Sequence, residues 1–143
     1  MNKVLLAQTD TTVGFLSQDA KRLGEIKGRA GNKPFLKVYA ELKVLRHDIR
    51  IPLLHRQRVR HSTKTTFVVK NQAFRYVCDT EHARLIKPYG WLYSTSANES
   101  GKNFDSTFCR TISDVIVEDH RGLHEQSASK IFLMNTTHLK QLR

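Results

Sequence analysis

The sequence contains few cysteines, few prolines and no long apolar run. Cys78 and Cys109 form no Cys-x-x-Cys pair, so neither a disulfide framework nor a cysteine zinc site is indicated, and both are expected to be buried free thiols. Three Pro and seven Gly leave little room for low-complexity segments. The apolar run at residues 4–7 is too short for the core of a signal peptide or for a membrane span. The sequence therefore predicts a cytoplasmic protein that makes no contact with a membrane.

Acidic residues are also scarce, and the positive charge is unevenly distributed. The 143 residues, taken as one domain over 1–143, include 24 Lys and Arg but only 13 Asp and Glu, for a formal charge of +11. Within residues 46–70, Asp48 is the only acid among these cations: Arg46, Arg50, Arg56, Arg58, Arg60, Lys64 and Lys70. Such a segment attracts phosphate-rich partners, although it can also serve solubility alone. Because the segment has almost no aromatic residues, binding there is expected to follow a nucleic-acid backbone rather than to read bases.

Short strands are predicted to alternate with helices of different lengths. Apolar runs and alternating patterns predict strands at residues 4–7, 35–39, 65–69, 74–77, 91–95, 115–118 and 131–134. Helices are predicted over 19–27 and 80–87, with a final helical turn within 136–142. Residues 8–13 are expected to form a loop that ends at Gly14, and a turn is expected near Gln72. This mixture favours an α+β domain or an α/β domain with a mixed sheet.

Three polar segments lie where chemistry could take place. Residues 94–101, Ser-Thr-Ser-Ala-Asn-Glu-Ser-Gly, follow a strand and offer hydroxyl and amide donors to an anion, or form an ordinary turn. Lys27-Gly28-Arg29, followed by Lys33, can clasp a polyphosphate or simply complement a helix dipole. Residues 8–15, Gln-Thr-Asp-Thr-Thr-Val-Gly-Phe, place hydroxyl groups after a strand, where they could hold a small polar ligand or cap the next helix. Neither familiar glycine-rich nucleotide loop occurs in the sequence.

Taken together and in this order, the three segments resemble the YrdC-like threonylcarbamoyl-AMP synthase family. The family pattern has a Pro-Thr-Asp-Thr-x-Tyr-Gly-Leu strand end, a Lys-x-Arg after the first helix and a Ser-Thr-Ser-Ala-Asn-x-Ser-Gly loop, which match residues 8–15, 27–29 and 94–101. Further positions similar to the family pattern are Thr66, Arg75 and Ser129. The resemblance covers most of the chain. The chain would be a short and divergent member of this family.

The resemblance implies a fold, a reaction and partners. The fold would be a twisted α/β sheet with flanking helices and a positively charged cavity. The reaction would join L-threonine, bicarbonate and ATP into threonylcarbamoyl-adenylate and release pyrophosphate, with Mg²⁺ carried by the ATP. The product would pass to partner proteins of the threonylcarbamoyladenosine modification of tRNA. Members of the family also bind double-stranded RNA or tRNA.

The resemblance also implies roles for individual residues. Lys27 and Arg29 would be catalytic, and the nucleotide phosphates would be held by Lys27, Arg29, Ser96, Asn98 and Ser129. Threonine and bicarbonate would be bound by Thr9, Thr11 and Thr66. No residue is assigned as a metal ligand. The chemistry fits these residue types, because cations and hydroxyl donors stabilise charge on phosphoryl oxygens without a protein nucleophile.

Some residues depart from the family pattern. Gln8 stands in place of a proline, Val13 in place of an aromatic residue and Phe15 in place of an aliphatic one, so the wall expected to face threonine differs. The alternative to a synthase is therefore a double-stranded RNA- or tRNA-binding module of the same fold without adenylation activity. Its RNA contacts would come from Arg56, Arg58, Arg60 and Lys64.

Overall fold

Strands and short helices alternate along the chain in the computed structural model, which describes residues 1–28 and 34–143. The strands are β1 (Leu5–Gln8), β2 (Val13–Ser17), β3 (Leu36–Tyr39), β4 (Thr65–Val69), β5 (Gln72–Tyr76), β6 (Trp91–Ser96), β7 (Val115–Val117), β8 (Lys130–Met134) and β9 (Leu139–Gln141). The helices are α1 (Ala20–Lys27), α2 (Leu42–Asp48), α3 (Arg56–Arg60), α4 (Thr80–Ile86) and α5 (Ser106–Ile112). No helix within the described ranges is long and apolar enough to cross a membrane.

The first of two compact units comprises Met1–Phe35 and Leu92–Ser127. In this unit β1 pairs antiparallel with β2 and parallel with β7, and β2 pairs antiparallel with β6, which gives the order β7-β1-β2-β6. The core contains Leu6 and Phe15 from the strands, Leu23 from α1 and Cys109 from α5. Cys109 is a buried free thiol, as the sequence predicts for this cysteine. Its burial raises the pKa of the thiol.

Helix α1 begins and ends where its sequence predicts. The Asp19 carboxylate accepts a hydrogen bond from the backbone N–H of Arg22 at 3.0 Å, which caps the first turn. Gly28 adopts a left-handed conformation with φ of 63°, which glycine reaches without strain, and its N–H bonds the last turn. Leu23 and Ile26 are buried on one face of the helix. These caps place Lys27 in the final turn of α1.

The second unit comprises Leu36–Trp91 and Ala128–Arg143. Here β3 pairs parallel with β5, β5 antiparallel with β4, β4 parallel with β8 and β8 antiparallel with β9, so the order is β3-β5-β4-β8-β9. Phe67 lies at the centre of the core, with its ring centroid 5.7 Å from that of Phe74 and 6.1 Å from that of Phe132. Both units mix parallel and antiparallel strands, which confirms the α/β class with mixed strand pairing.

Several local predictions are wrong. Residues 136–142 form no helical turn; Leu139–Gln141 within them form strand β9, because their backbone pairs with β8 and Leu139 packs against the core. Cys78 is exposed, since it lies between the end of β5 and the capping residue of α4. Val13, expected to lie in a loop, already belongs to strand β2. This strand was not predicted, because every residue in it is buried and the alternating pattern that marks a half-buried strand is missing.

The turn expected near Gln72 is confirmed: it lies at Lys70 and Asn71, both with positive φ, directly before Gln72 at the start of β5. Three helices differ from the predictions. Helices α2, α3 and α5 were not predicted. Each buries a single residue, namely Leu45, Val59 and Cys109, and one buried position gives no helical period in the sequence.

Candidate functional site

A buried lysine in the first unit is in contact with the polar loop that follows β6. Lys27 is only 3% exposed. Its Nζ donates hydrogen bonds to the backbone oxygen of Ser96 at 3.0 Å, to that of Asn98 at 2.8 Å and to Asn98 Oδ1 at 2.6 Å. A buried ammonium group is tolerated only when its protons are bonded, and these oxygens meet that need.

The loop that follows β6 is shaped around this ammonium group. Ser96 Oγ donates to Asn98 Oδ1 at 2.7 Å, and Asn98 Nδ2 donates to the backbone oxygen of Lys102. The N–H of Ala97 donates to the oxygen of Val13 at 2.9 Å, which fixes the loop to β2. Three of the residues that the resemblance predicts for the phosphates, Lys27, Ser96 and Asn98, are therefore in direct contact. Hydroxyl, amide and ammonium donors thus meet in one place, and an anion that binds here would take them over from the protein oxygens to which they now donate.

The two threonines predicted at the end of β1 are buried and bonded to each other. Thr9 Oγ1 donates to the backbone oxygen of Thr12 at 2.6 Å and accepts from the N–H of Thr11 at 3.2 Å. The two hydroxyl oxygens lie 3.2 Å apart. Thr9 thus closes the β1–β2 turn with its own side chain, so its first role is to position the backbone of this strand end.

Residues 121–126, to which the sequence analysis assigned no role in the site, lie against the end of β1. Gln8 Oε1 accepts a hydrogen bond from the N–H of His124 at 2.9 Å, and Arg121 Nη2 donates to the backbone oxygen of Gln8 at 3.2 Å. The N–H of Gln126 donates to Thr12 Oγ1 at 3.1 Å. Because a proline in the place of Gln8 has no side-chain acceptor, the glutamine found here holds the segment through a bond that the family pattern cannot make.

An ion pair between Asp119 and Arg121 lies next to these residues. Asp119 accepts hydrogen bonds from the side chain of Arg121, the shortest at 2.7 Å from Nη2. These bonds lower the pKa of Asp119 to about 2, from an ordinary value of 3.8. The pair therefore stays charged at neutral pH and keeps the Arg121 guanidinium in position beside Gln8.

In the second unit, Thr66 and Ser129, to which the resemblance gives different ligands, lie in contact with each other. Their hydroxyl oxygens lie 2.8 Å apart and both residues are buried. Arg75 Nη1 donates to Thr66 Oγ1 at 3.5 Å. Arg143 was missed by the sequence reasoning, yet its Nη2 donates to Ser129 Oγ at 3.3 Å and its Nε to the oxygen of Ser129 at 2.9 Å. No sequence signal points to Arg143, because its approach depends on the pairing of β8 with β9.

The remaining predicted residues have different placements. Arg29 and Lys33 lie outside the described residues. Arg56, Arg58 and Arg60 are exposed on α3, and Lys64 is exposed in the turn that follows. Residues 1–28 and 34–143 contain no group of three or more His, Cys, Asp or Glu side chains that could hold a metal ion.

Comparison with known proteins places this geometry in a known fold. No family model and no curated protein match the sequence. Two structures of P. abyssi Sua5, one of them complexed with L-threonine, match 99% of this chain with TM-scores of 0.78 and 0.76 at 20% and 17% identity. The chain covers 49% and 50% of those structures, so it spans about half their length.

Two further structures are similar to the whole chain. E. coli YciO matches with a TM-score of 0.75 at 16% identity, over 99% of this chain and 82% of YciO. Full-length HypF in its phosphate- and nucleotide-bound form matches with a TM-score of 0.77 at 15% identity, over 99% of this chain and 26% of HypF. Identities this low establish a shared fold and leave the activity open. The chain has the Sua5/YrdC-like fold that its three motifs predict.

Proposed function

We propose that the chain forms threonylcarbamoyl-adenylate from L-threonine, bicarbonate and ATP and releases pyrophosphate. The observation that carries the proposal is the buried Lys27 ammonium group, bonded to the Ser96–Asn98 loop. Both parts of this contact belong to motifs that match the synthase pattern. An enzyme that binds polyphosphate without a glycine-rich loop needs another fixed set of donors, and this cluster supplies one.

The proposed reaction needs little covalent chemistry from the protein. The threonine amine and bicarbonate condense to a carbamate with loss of water. A carbamate oxygen then attacks the α-phosphorus of ATP, and the bond from that phosphorus to the oxygen bridging the α- and β-phosphates breaks, so pyrophosphate leaves. Lys27 would stabilise the charge on the phosphoryl oxygens through its positive charge, and the exposed hydroxyl of Ser96 would turn from Asn98 Oδ1 to donate to them. The Mg²⁺ that accompanies ATP would neutralise phosphate charge and would be bound mainly by the phosphates themselves.

The amino acid site is proposed at the buried hydroxyl groups of the first unit. Thr9 and Thr11 would position the end of β1 for threonine. The Sua5 structure complexed with L-threonine supports threonine as the amino acid for this fold. Arg29 would add a second cation at the phosphates.

Pyrophosphate release tests the proposal directly. The purified chain with Mg²⁺ and ATP is expected to release pyrophosphate only when bicarbonate and L-threonine are both present, and more slowly with L-serine. An ATP analogue with a methylene group between the α- and β-phosphates should abolish release, because the bond that must break is no longer present. Mass spectrometry should detect threonylcarbamoyl-AMP in equal amount. Release that does not require an amino acid, or the absence of any release, would contradict the proposed activity.

A second candidate function is binding of double-stranded RNA or tRNA. It is favoured by the exposure of Arg56, Arg58, Arg60 and Lys64, none of which has an acidic partner among the residues the structure describes. Arg56 and Arg60 are four positions apart and lie on one face of α3, whereas Arg58 lies on another face of the same helix. Exposed cations such as these would neutralise phosphates along a backbone.

Salt dependence distinguishes RNA binding from general attraction by a basic protein. Serine at Arg56, Arg58 and Arg60 together is expected to weaken RNA binding and to reduce the slope of log K against log salt by about 1 for each lost phosphate contact. A variant with serine at the exposed Lys3, Lys21 and Lys87 has the same net charge and should keep the slope. Equal losses in the two variants would show that the α3 surface has no special role.

A further inference from the structure

The second unit contains a cavity that belongs to neither of the predicted sites. Its volume is about 700 Å³, within the range of roughly 300–1,000 Å³ that is common for small-molecule sites. The lining residues are Arg50, Pro52, Val69, Lys70, Asn71, Leu133, Met134, Asn135, Thr136, His138 and Lys140. No carboxylate is present among them. The cavity therefore combines an apolar floor with positive charge.

The strand register separates this cavity from the buried hydroxyl pair. Strands β4 and β8 run parallel, with Thr66 opposite Ile131 and Val68 opposite Leu133. Thr66 and Ser129 thus lie at the beginning of these strands, whereas the cavity is lined by residues at and beyond their ends. Ligands of open α/β sheets commonly bind beyond the carboxyl ends of parallel strands, where loops leave a crevice.

The positive charges at the cavity have no partner within residues 1–28 and 34–143. Among the described residues, the side chains of Arg50, Lys70 and Lys140 form no salt bridge and no hydrogen bond, and all three are exposed. Lys140 is the cross-strand partner of Leu133, which is 43% exposed despite its apolar side chain. Three cations beside an accessible apolar surface suit an anion that carries an organic group.

The backbone at Lys70 supports a role for its side chain. Val69 pairs with Gln72, so Lys70 and Asn71 form a two-residue turn, with φ of 47° and 64°. A turn with two positive φ values favours asparagine, aspartate or glycine at both positions. Lysine at the first position is strained, and such strain often marks a functional position.

We propose that this cavity is a second site that binds a small phosphorylated organic molecule, such as a nucleoside monophosphate. Arg50, Lys70 and Lys140 would hold the phosphate, and Leu133 with Pro52 would contact the organic part. A volume of about 700 Å³ matches a small molecule rather than an extended nucleic acid. This inference does not depend on the proposed synthase activity.

Amide chemical-shift mapping of the full chain tests the site with adenosine monophosphate, adenosine and inorganic phosphate as probes. Adenosine monophosphate is expected to shift the amide resonances of residues 69–71 and 135–140 in a saturable way. Inorganic phosphate should bind more weakly at the same residues, and adenosine should not bind there. Amides of residues 96–98 report the other site in the same spectra, so the two proposals can fail separately.

A matched pair of substitutions gives the decisive comparison. Lys70→Asn is expected to weaken binding of adenosine monophosphate about tenfold, the effect of losing one charge-assisted hydrogen bond. It should not lower the melting temperature, because asparagine tolerates positive φ. Lys64→Asn is the control, since Lys64 is exposed and also has positive φ, at 51°, but does not line the cavity.

Three results would overturn the second site. The first is the absence of saturable amide shifts with adenosine monophosphate. The second is that Lys70→Asn and Lys64→Asn weaken the binding of adenosine monophosphate equally. The last is that the amides of residues 69–71 and 135–140 shift with an RNA duplex but not with the mononucleotide. The last result would assign these cations to a nucleic-acid backbone instead.

Discussion

Replacing Lys27 by methionine is expected to lower threonine-dependent pyrophosphate release by about 100-fold or more. A charge fixed beside the reacting phosphoryl group stabilises the transition state without reorganisation, and loss of one such group typically has an effect of this size. Methionine preserves much of the side-chain volume and removes the three donated hydrogen bonds. The measurement is the steady-state rate with saturating ATP, threonine and bicarbonate.

Two control variants separate the charge of Lys27 from its structural role. Lys21→Met changes an exposed lysine of the same helix and should leave the rate unchanged. Lys27→Arg keeps the charge with a different geometry, so it should retain more activity than Lys27→Met. Thermal unfolding of each variant shows whether it is folded. If folded Lys27→Met releases pyrophosphate at the wild-type rate, Lys27 has no part in catalysis and only anchors the loop.

The contacts of Lys27 show what a sequence can and cannot predict. Its place at the end of α1 follows from Asp19 and Gly28, which are local signals of a helix start and stop. Its contacts with Ser96 and Asn98 join residues 69 and 71 positions apart, and periodicity gives no information on such pairs. They were expected only because the two motifs occur together in a known family pattern. Thr66 and Ser129, 63 positions apart, were assigned to the site for the same reason, but their contact with each other was not predicted.

The features that were missed depend on tertiary structure. Strand β9 has little sequence pattern of its own and forms because the free edge of β8 offers it hydrogen bonds. The Asp119–Arg121 pair and the bond from His124 to Gln8 depend on where residues 119–126 lie in the folded chain. Gln8 was recognised as a departure from the family proline, but its role as an acceptor for this segment needs the structure. Local signals therefore located elements, while the contacts between distant residues decided the geometry of the site.

Replacing Gly14 by alanine is expected to lower the free energy of unfolding by about 1–3 kcal/mol, the usual effect of adding a methyl group where no space exists. A Cβ atom at this position would lie 3.0 Å from Thr9 Cγ2 and 3.1 Å from the backbone oxygen of Thr95. The oxygen belongs to β6, which pairs with β2 beside Gly14, so it can move only if the strand pairing is disturbed. Chemical denaturation of the wild type and of Gly14→Ala measures the difference.

A double-mutant cycle identifies which contact is responsible. Thr9→Ser removes Cγ2 but keeps the hydroxyl group that donates to Thr12, so the Gly14→Ala change should be less destabilising in its presence. Thr11→Ser is the matched control, because Thr11 is not among the nearest atoms to the added methyl group, and its effect should simply add to that of Gly14→Ala. Since the oxygen of Thr95 stays in place, rescue by Thr9→Ser should be partial. Strict additivity with Thr9→Ser would mean that the close approach of Gly14 to Thr9 does not limit the packing of this strand end, and the glycine would then be required by its contact with β6 alone.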